Sequence, residues 1–183
     1  MNIYDYLDQI YEDLNENDWD VVESKYRELA LKCAGEKVTN RITHINLRDY
    51  QKSLYEKLLE AVDIGETSSA QAIWFEYDIE NNWKGRFLIC PEYYPESEED
   101  DDWASEWESE VEAMTLGEFA AIYREFGGYN DEDSHVATTL YLITRLVCAF
   151  GRCVDGLTNN HLAICIGFPE QDPLWRIVEK KES

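Results

Sequence analysis

Apolar residues return every three or four positions through the first third of the chain, then every second position near its middle. From Asn2 to about Asn15, Ile3, Leu7, Ile10 and Leu14 line one side of an amphipathic helix, with Asp5, Asp8, Glu12 and Asp13 opposite. Asp18 is placed to cap a second helix through Trp19, Val22, Tyr26, Leu29 and Cys33, which ends where Gly35 can turn left-handed. These two are expected to form an antiparallel pair. Val38 to Ile45 is rich in β-branched residues without a clear period and fits either an extended segment or a loop. A third helix is expected from about Leu47 to Val62, with Leu47, Tyr50, Leu54, Leu58 and Ala61 on one stripe and Gly65 as its terminator.

The period then falls to two. Ile73, Phe75, Tyr77 and Ile79 alternate with Trp74, Glu76 and Asp78 ahead of Asn81 and Asn82, and Phe87 and Ile89 alternate after them. That pattern predicts a hairpin of half-buried strands over about 70–90, turned at the asparagines. Arg86 and Lys84 can pair across it with Glu76 or Asp78, a contact worth about 0.2 to 1 kcal/mol. Glu92 to Asp102, with Pro91 and Pro95 beside it, reads as an exposed loop. Trp103, Trp107 and Val111 suit a helix by spacing and a strand by parity, so 103–112 fits both.

Thr115 and Glu118 have the spacing of a capping box, opening a helix through Phe119, Ile122, Tyr123 and Phe126 that stops at Gly127 and Gly128. Asp131 or Asp133 should start a long core helix that buries Val136, Leu140, Ile143, Val147 and Phe150. The run from His161 to Phe168 is a short apolar strand, and Asp172 to Lys181 fits a final strand or a helix started by Pro173. Together these elements predict an α+β fold in a single domain, 1–183. N-terminal helices come first, then a central antiparallel sheet built on the hairpin, a C-terminal core helix at about 133–150, and a short strand.

Charge changes this picture more than composition does. The 183 residues are 44% hydrophobic, enough for one sizeable core, but Lys and Arg total 16 against 39 Asp and Glu, a net charge of -23. Such a field repels phosphate backbones and anionic bilayers and attracts basic proteins, which argues against direct nucleic-acid or membrane binding. The 13% aromatic content and the regular apolar periods point to a folded chain rather than a disordered acidic one. The first residues lack the basic flank and apolar run of a signal peptide, and no apolar run approaches the roughly 18 residues of a membrane span, so a cytoplasmic location is expected. Five scattered cysteines, an odd number, suit reduced thiols.

Catalytic signatures are absent: no nucleophile elbow, phosphate loop, dinucleotide fingerprint, paired metal histidines or C-x-x-C. His44, His135 and His161 are the remaining general-base candidates. His135 with Glu132 has half of a di-metal bundle motif, but there is no second copy. Asp100, Asp101 and Asp102 lack the alternation of a calcium loop. The sequence therefore predicts no catalytic, cofactor or metal residue, and a protein that is not an enzyme.

Between Glu92 and Glu112 there is no Lys or Arg. Most charge runs are solvated faces that keep a protein soluble. Here, however, tryptophans are interleaved with the acids, and aromatic anchors beside a rim of one charge suit a protein interface. The candidate contact residues are Glu96, Glu98, Glu99, Asp100, Asp101, Asp102, Trp103, Glu106, Trp107, Glu108 and Glu110. The competing arrangement turns both tryptophans inward and leaves only the acids in water.

The hairpin IWFEYDIENNWKGRF, the acidic segment and LGEFAAIYREF, together spanning Ala70 to Phe126, resemble immunity proteins of bacterial polymorphic toxin systems, including contact-dependent growth inhibition. The resemblance implies a cytoplasmic α+β protein that binds a cognate toxin domain, commonly a basic nuclease, in a 1:1 complex and blocks it. It carries no shared functional residue. A second class of reading is an acidic nucleic-acid mimic or adaptor that sequesters a basic DNA- or RNA-binding protein.

Overall fold

The computed structural model describes residues 1–98, 100–129, 132–158, 160–169 and 171–179, without the side chains of 171–173. Among them are six α-helices and five strands, the α+β class expected. The chain divides into two compact units, one of residues 1–48 and 116–152, the other of residues 49–115 and 153–183.

The first unit holds helices α1 (Ile3–Glu16), α2 (Trp19–Cys33), α3 (Glu36–Thr43), α5 (Gly117–Phe126) and most of α6 (Asp133–Val154). In α1 the buried stripe is Ile3, Leu7, Ile10 and Asp13, not Leu14. Asp13 accepts hydrogen bonds from Lys25 Nζ at 2.6 Å and from the Tyr26 hydroxyl at 3.0 Å, so this carboxylate joins α1 to α2 from inside. Burial, and then the Asp13 charge, push the Tyr26 phenol well above its ordinary pKa. Gly35, at φ 83°, ends α2 as expected.

The segment expected to be extended or a loop is instead helix α3. Val38 and Ile42 stand one helical turn apart and are buried. The Thr39 and Thr43 hydroxyls bond back to carbonyls four residues earlier. Its last turn is held from α6, where buried Arg145 donates to the carbonyls of Ile42 and Ile45, the latter at 3.1 Å, and to Glu23 at 3.1 Å. A buried arginine satisfies orphan carbonyls at a helix end and so supplies what the local sequence lacks.

Asp18 is the N-cap residue of α2 as expected, its carbonyl accepting the Val22 amide at 3.1 Å, but its side chain makes no cap bond. Helix α5 begins after Leu116 with no side-chain cap bond, so Thr115 and Glu118 make no capping box. Asp131 lies outside the described residues, and α6 starts at Asp133. Helix α6 has the length and apolar composition of a membrane span, which the run-length reading missed, yet 94% of its most apolar window is buried within the protein.

The second unit is built on a five-stranded sheet of order β3-β2-β1-β4-β5, with β1 (Ala72–Asp78), β2 (Lys84–Cys90), β3 (Ser109–Glu112), β4 (Ala163–Phe168) and β5 (Gln171–Val178). The expected hairpin is β1 with β2, turned through Asn82 and Trp83 at positive φ rather than through Asn81 and Asn82. The expected antiparallel sheet is mixed at one place, since β4 joins β1 in parallel. The final segment resolves to a strand, β5.

Both faces of β1 are buried, where half-burial was expected. One face packs aromatics in tilted pairs: Phe75 with Phe87 at 4.7 Å between centroids and Tyr77 with Phe168 at 4.8 Å. Helix α4 (Arg48–Ser68) runs through Gly65 instead of stopping there and ends at Ser69, whose φ is 61°. A Cβ on Gly65 would lie 2.8 Å from Leu162 and 3.8 Å from Ile89, so the glycine serves close packing.

Candidate protein-interaction site

The second face of the sheet is where the acidic segment lies. The register places Glu76 opposite Arg86, Trp74 opposite Leu88, and Ala72 opposite Cys90. Arg86 then faces Glu112 and Leu88 faces Glu110 on β3, while Trp74 faces Cys165 on β4 and Cys165 faces Arg176 on β5. Apolar residues occupy the middle of this face and charges its margins.

At one margin, Arg86 Nε donates to Glu76 at 2.6 Å and Nη1 to Glu110 at 3.2 Å. The Glu76 hydrogen bond, aided by both charges, raises the Arg86 pKa above its ordinary value. Lys84 pairs with Glu112 at 2.7 Å, rather than with Glu76 or Asp78. That hydrogen bond and charge lower the Glu112 pKa.

Residues 91–98 and 100–108 lie over the apolar middle. Tyr93, Trp103 and Ala104 insert into a cluster with Ala72, Trp74, Leu88, Cys90, Ala163, Cys165 and Leu174. Tyr93 and Trp103 meet edge to face at 5.0 Å. Short 3-10 turns form at Glu96–Glu98 and at Asp102–Ser105, and the second carries the buried Trp103 and Ala104. The segment 103–112 is thus neither one helix nor one strand, but a turn that buries Trp103 followed by β3. Arg176 ties the segment down, donating to the Tyr94 carbonyl at 3.2 Å and to the Asp101 carboxylate. The Tyr93 hydroxyl reaches Glu179. Burial first, and then that bond, raise the tyrosine's pKa.

This packing sorts the predicted contact residues. Trp103 is 2% exposed and acts as an anchor. Asp101 is engaged with Arg176, and Glu110 with Arg86. Asp100 is exposed and accepts the Asp102 amide at 3.0 Å, and Glu96 is also exposed. Glu98, Asp102, Glu106 and Glu108 are exposed and form no ion pair among the described residues. Glu99 lies outside the described residues. Trp107 is 41% exposed, with Arg86 lying 5.4 Å from its ring centroid.

Beside Trp107 the segment leaves a cleft of about 390 Å³, lined by Trp74, Glu76, Arg86, Asp101, Asp102 and Trp107, among others. Sequence reasoning did not find Glu76, Trp74 or Arg176 as parts of this site. The available signal was an arginine within the apolar run of β5, a position where a buried cation needs an anionic partner from elsewhere in the chain.

Each histidine has its own local surroundings. His44 Nδ1 lies 2.6 Å from the Asn40 carbonyl, His135 lies 3.6 Å from Glu132, and His161 is exposed. Among the described residues, no group of three or more His, Cys, Asp or Glu is placed to hold a metal ion. Compared with protein-family models, curated proteins and solved structures, the chain matches none.

Proposed function

We propose that this protein is a non-catalytic cytoplasmic inhibitor, an immunity protein that binds a basic toxin domain of the nuclease kind in a 1:1 complex. One observation carries the reading. Carboxylates that have no cation of their own are held in water by a backbone fixed from beneath through Tyr93, Trp103 and Arg176. A disordered acidic tail would pay ordering entropy on binding, whereas a fixed acidic surface presents its field already arranged. A nuclease must expose Lys and Arg where it grips phosphate, which makes it a complementary partner.

Co-expression with a basic toxin domain encoded beside this protein tests the reading. A 1:1 complex that abolishes the toxin's activity supports it. Absence of a complex at low salt, or toxicity undiminished by co-expression, overturns it. Equal binding to unrelated DNA-binding proteins would favour a nucleic-acid mimic instead.

A further inference from the structure

The cleft beside Trp107 has a more specific chemistry than the acidic rim around it. Its lining carries Glu76, Asp101 and Asp102 against one cation, Arg86, and its size of about 390 Å³ falls within the roughly 300–1,000 Å³ of ordinary ligand pockets. Glu76 and Asp101 already hold arginines of this chain, Arg86 and Arg176. Asp102 has no ion pair among the described residues. Trp107 stays open to solvent although Arg86 lies against it. Trp74, nine-tenths buried, lines the same cleft, and its indole N–H finds no acceptor among the described residues.

We infer that this cleft receives one arginine side chain, with its flanking backbone, from the basic partner. The inference rests on the proposed inhibitor function and assigns that partner a specific contact. A guanidinium is planar, stacks on an indole face and offers a fork of donors to a carboxylate. Trp107 and Asp102 match those needs, and Arg86 against Trp107 is the same pairing made within the chain. A lysine ammonium fits less well because it is a strongly hydrated point charge that cannot use the plane. An anionic ligand is disfavoured by three carboxylates.

The isolated protein can be titrated with acetyl-arginine-methylamide and with its lysine counterpart while the indole N–H signals are followed by NMR. The expected result is a saturable shift of the Trp74 signal by the arginine probe. Affinity should fall by about fivefold or more for the lysine probe, and likewise in Trp107→Ala and Asp102→Asn. Unchanged circular dichroism would show that these variants still fold. Equal, non-saturating shifts from both probes would overturn the assignment, as would binding that survives both substitutions.

The two levels of the proposal separate in the complex. If a basic toxin domain is bound as tightly by Trp107→Ala and Asp102→Asn as by the native protein, the cleft assignment fails and the inhibitor reading stands. If the arginine probe saturates the cleft while no basic domain is bound, the inhibitor reading fails and the cleft remains an arginine site.

Discussion

Arg176 and Asp101, 75 positions apart in the chain, form an ion pair that fastens the acidic segment to the last strand of the sheet. The arginine side chain is 4% exposed and the aspartate 38%, so the pair is anchored at its cationic end. Burying Tyr93 and Trp103 contributes roughly 3 kcal/mol or more each, whereas a hydrogen-bonded charge contributes about 1.5–3 kcal/mol. The aromatics therefore hold the segment on the sheet, and Arg176 fixes where along the sheet it sits.

Arg176→Met keeps the length of the side chain and removes its donors. Stability should fall by about 1–3 kcal/mol, with faster hydrogen exchange at the Ala104 and Glu106 amides, whose bonds to Asp101 and Trp103 close the turn. Exchange within β1 and β2 should change little. Unaltered protection at Ala104 would show that the aromatics alone set the loop.

Asp13 links α1 to α2 through Lys25 and Tyr26. Asp13→Ala strands the buried Tyr26 hydroxyl, while Lys25, with its side chain 48% exposed, can rehydrate. A loss of about 1–3 kcal/mol is expected on urea unfolding, against about 0.5–1.5 kcal/mol for Tyr26→Phe, which removes the hydroxyl and leaves Asp13 paired with Lys25. Equal losses would mean that the carboxylate has little role beyond that hydroxyl.

Four thiols make alkaline stability a test of the core. Burial raises the Cys90 and Cys148 thiols to about 12 and Cys153 to about 11, and moves Cys165 further in the same direction, all above the ordinary thiol range. Their folded pKa lies above the unfolded one, so the stabilisation is fully present below about pH 9 and is lost as pH rises toward 12. Each thiol contributes a slope of up to about 1.4 kcal/mol per pH unit in that window. At pH 8 iodoacetamide should label half-buried Cys33 in the native protein and all five cysteines only after unfolding. Rapid native labelling of Cys90 or Cys148 would contradict this burial.

Helix stripes, the hairpin and the core helix were legible in the sequence because their periods are long and regular. The failures share a cause: the deciding neighbour comes from another element, as a polar partner for Asp13 and for α3 and as an apolar wall for Gly65. The charge of Asp13 predicts a surface position, and Lys25 and Tyr26 bring it inside. Val38 to Ile45 lacked local helical strength, and Arg145 supplies the missing bonds to its last turn. Glycine at position 65 predicts a helix stop, while its role here is close packing against Leu162. Within the site, the exposed acids could be read directly from composition. The inward turn of Trp103 and the Arg176 anchor depend on tertiary pairing that no spacing rule encodes.

The central claim is that the outward carboxylates of Glu98, Asp102, Glu106 and Glu108 draw in a basic partner, and association kinetics test it most directly. With a cognate basic toxin domain in hand, its association rate is measured as ionic strength rises, for the native protein and for Glu98→Gln, Asp102→Asn, Glu106→Gln and Glu108→Gln combined. The expected result is a native rate that falls steeply with salt and a combined variant about tenfold slower at low salt, with a flattened salt dependence. An unchanged rate with the same salt dependence in the variant would contradict the account and move the contact surface elsewhere on the protein.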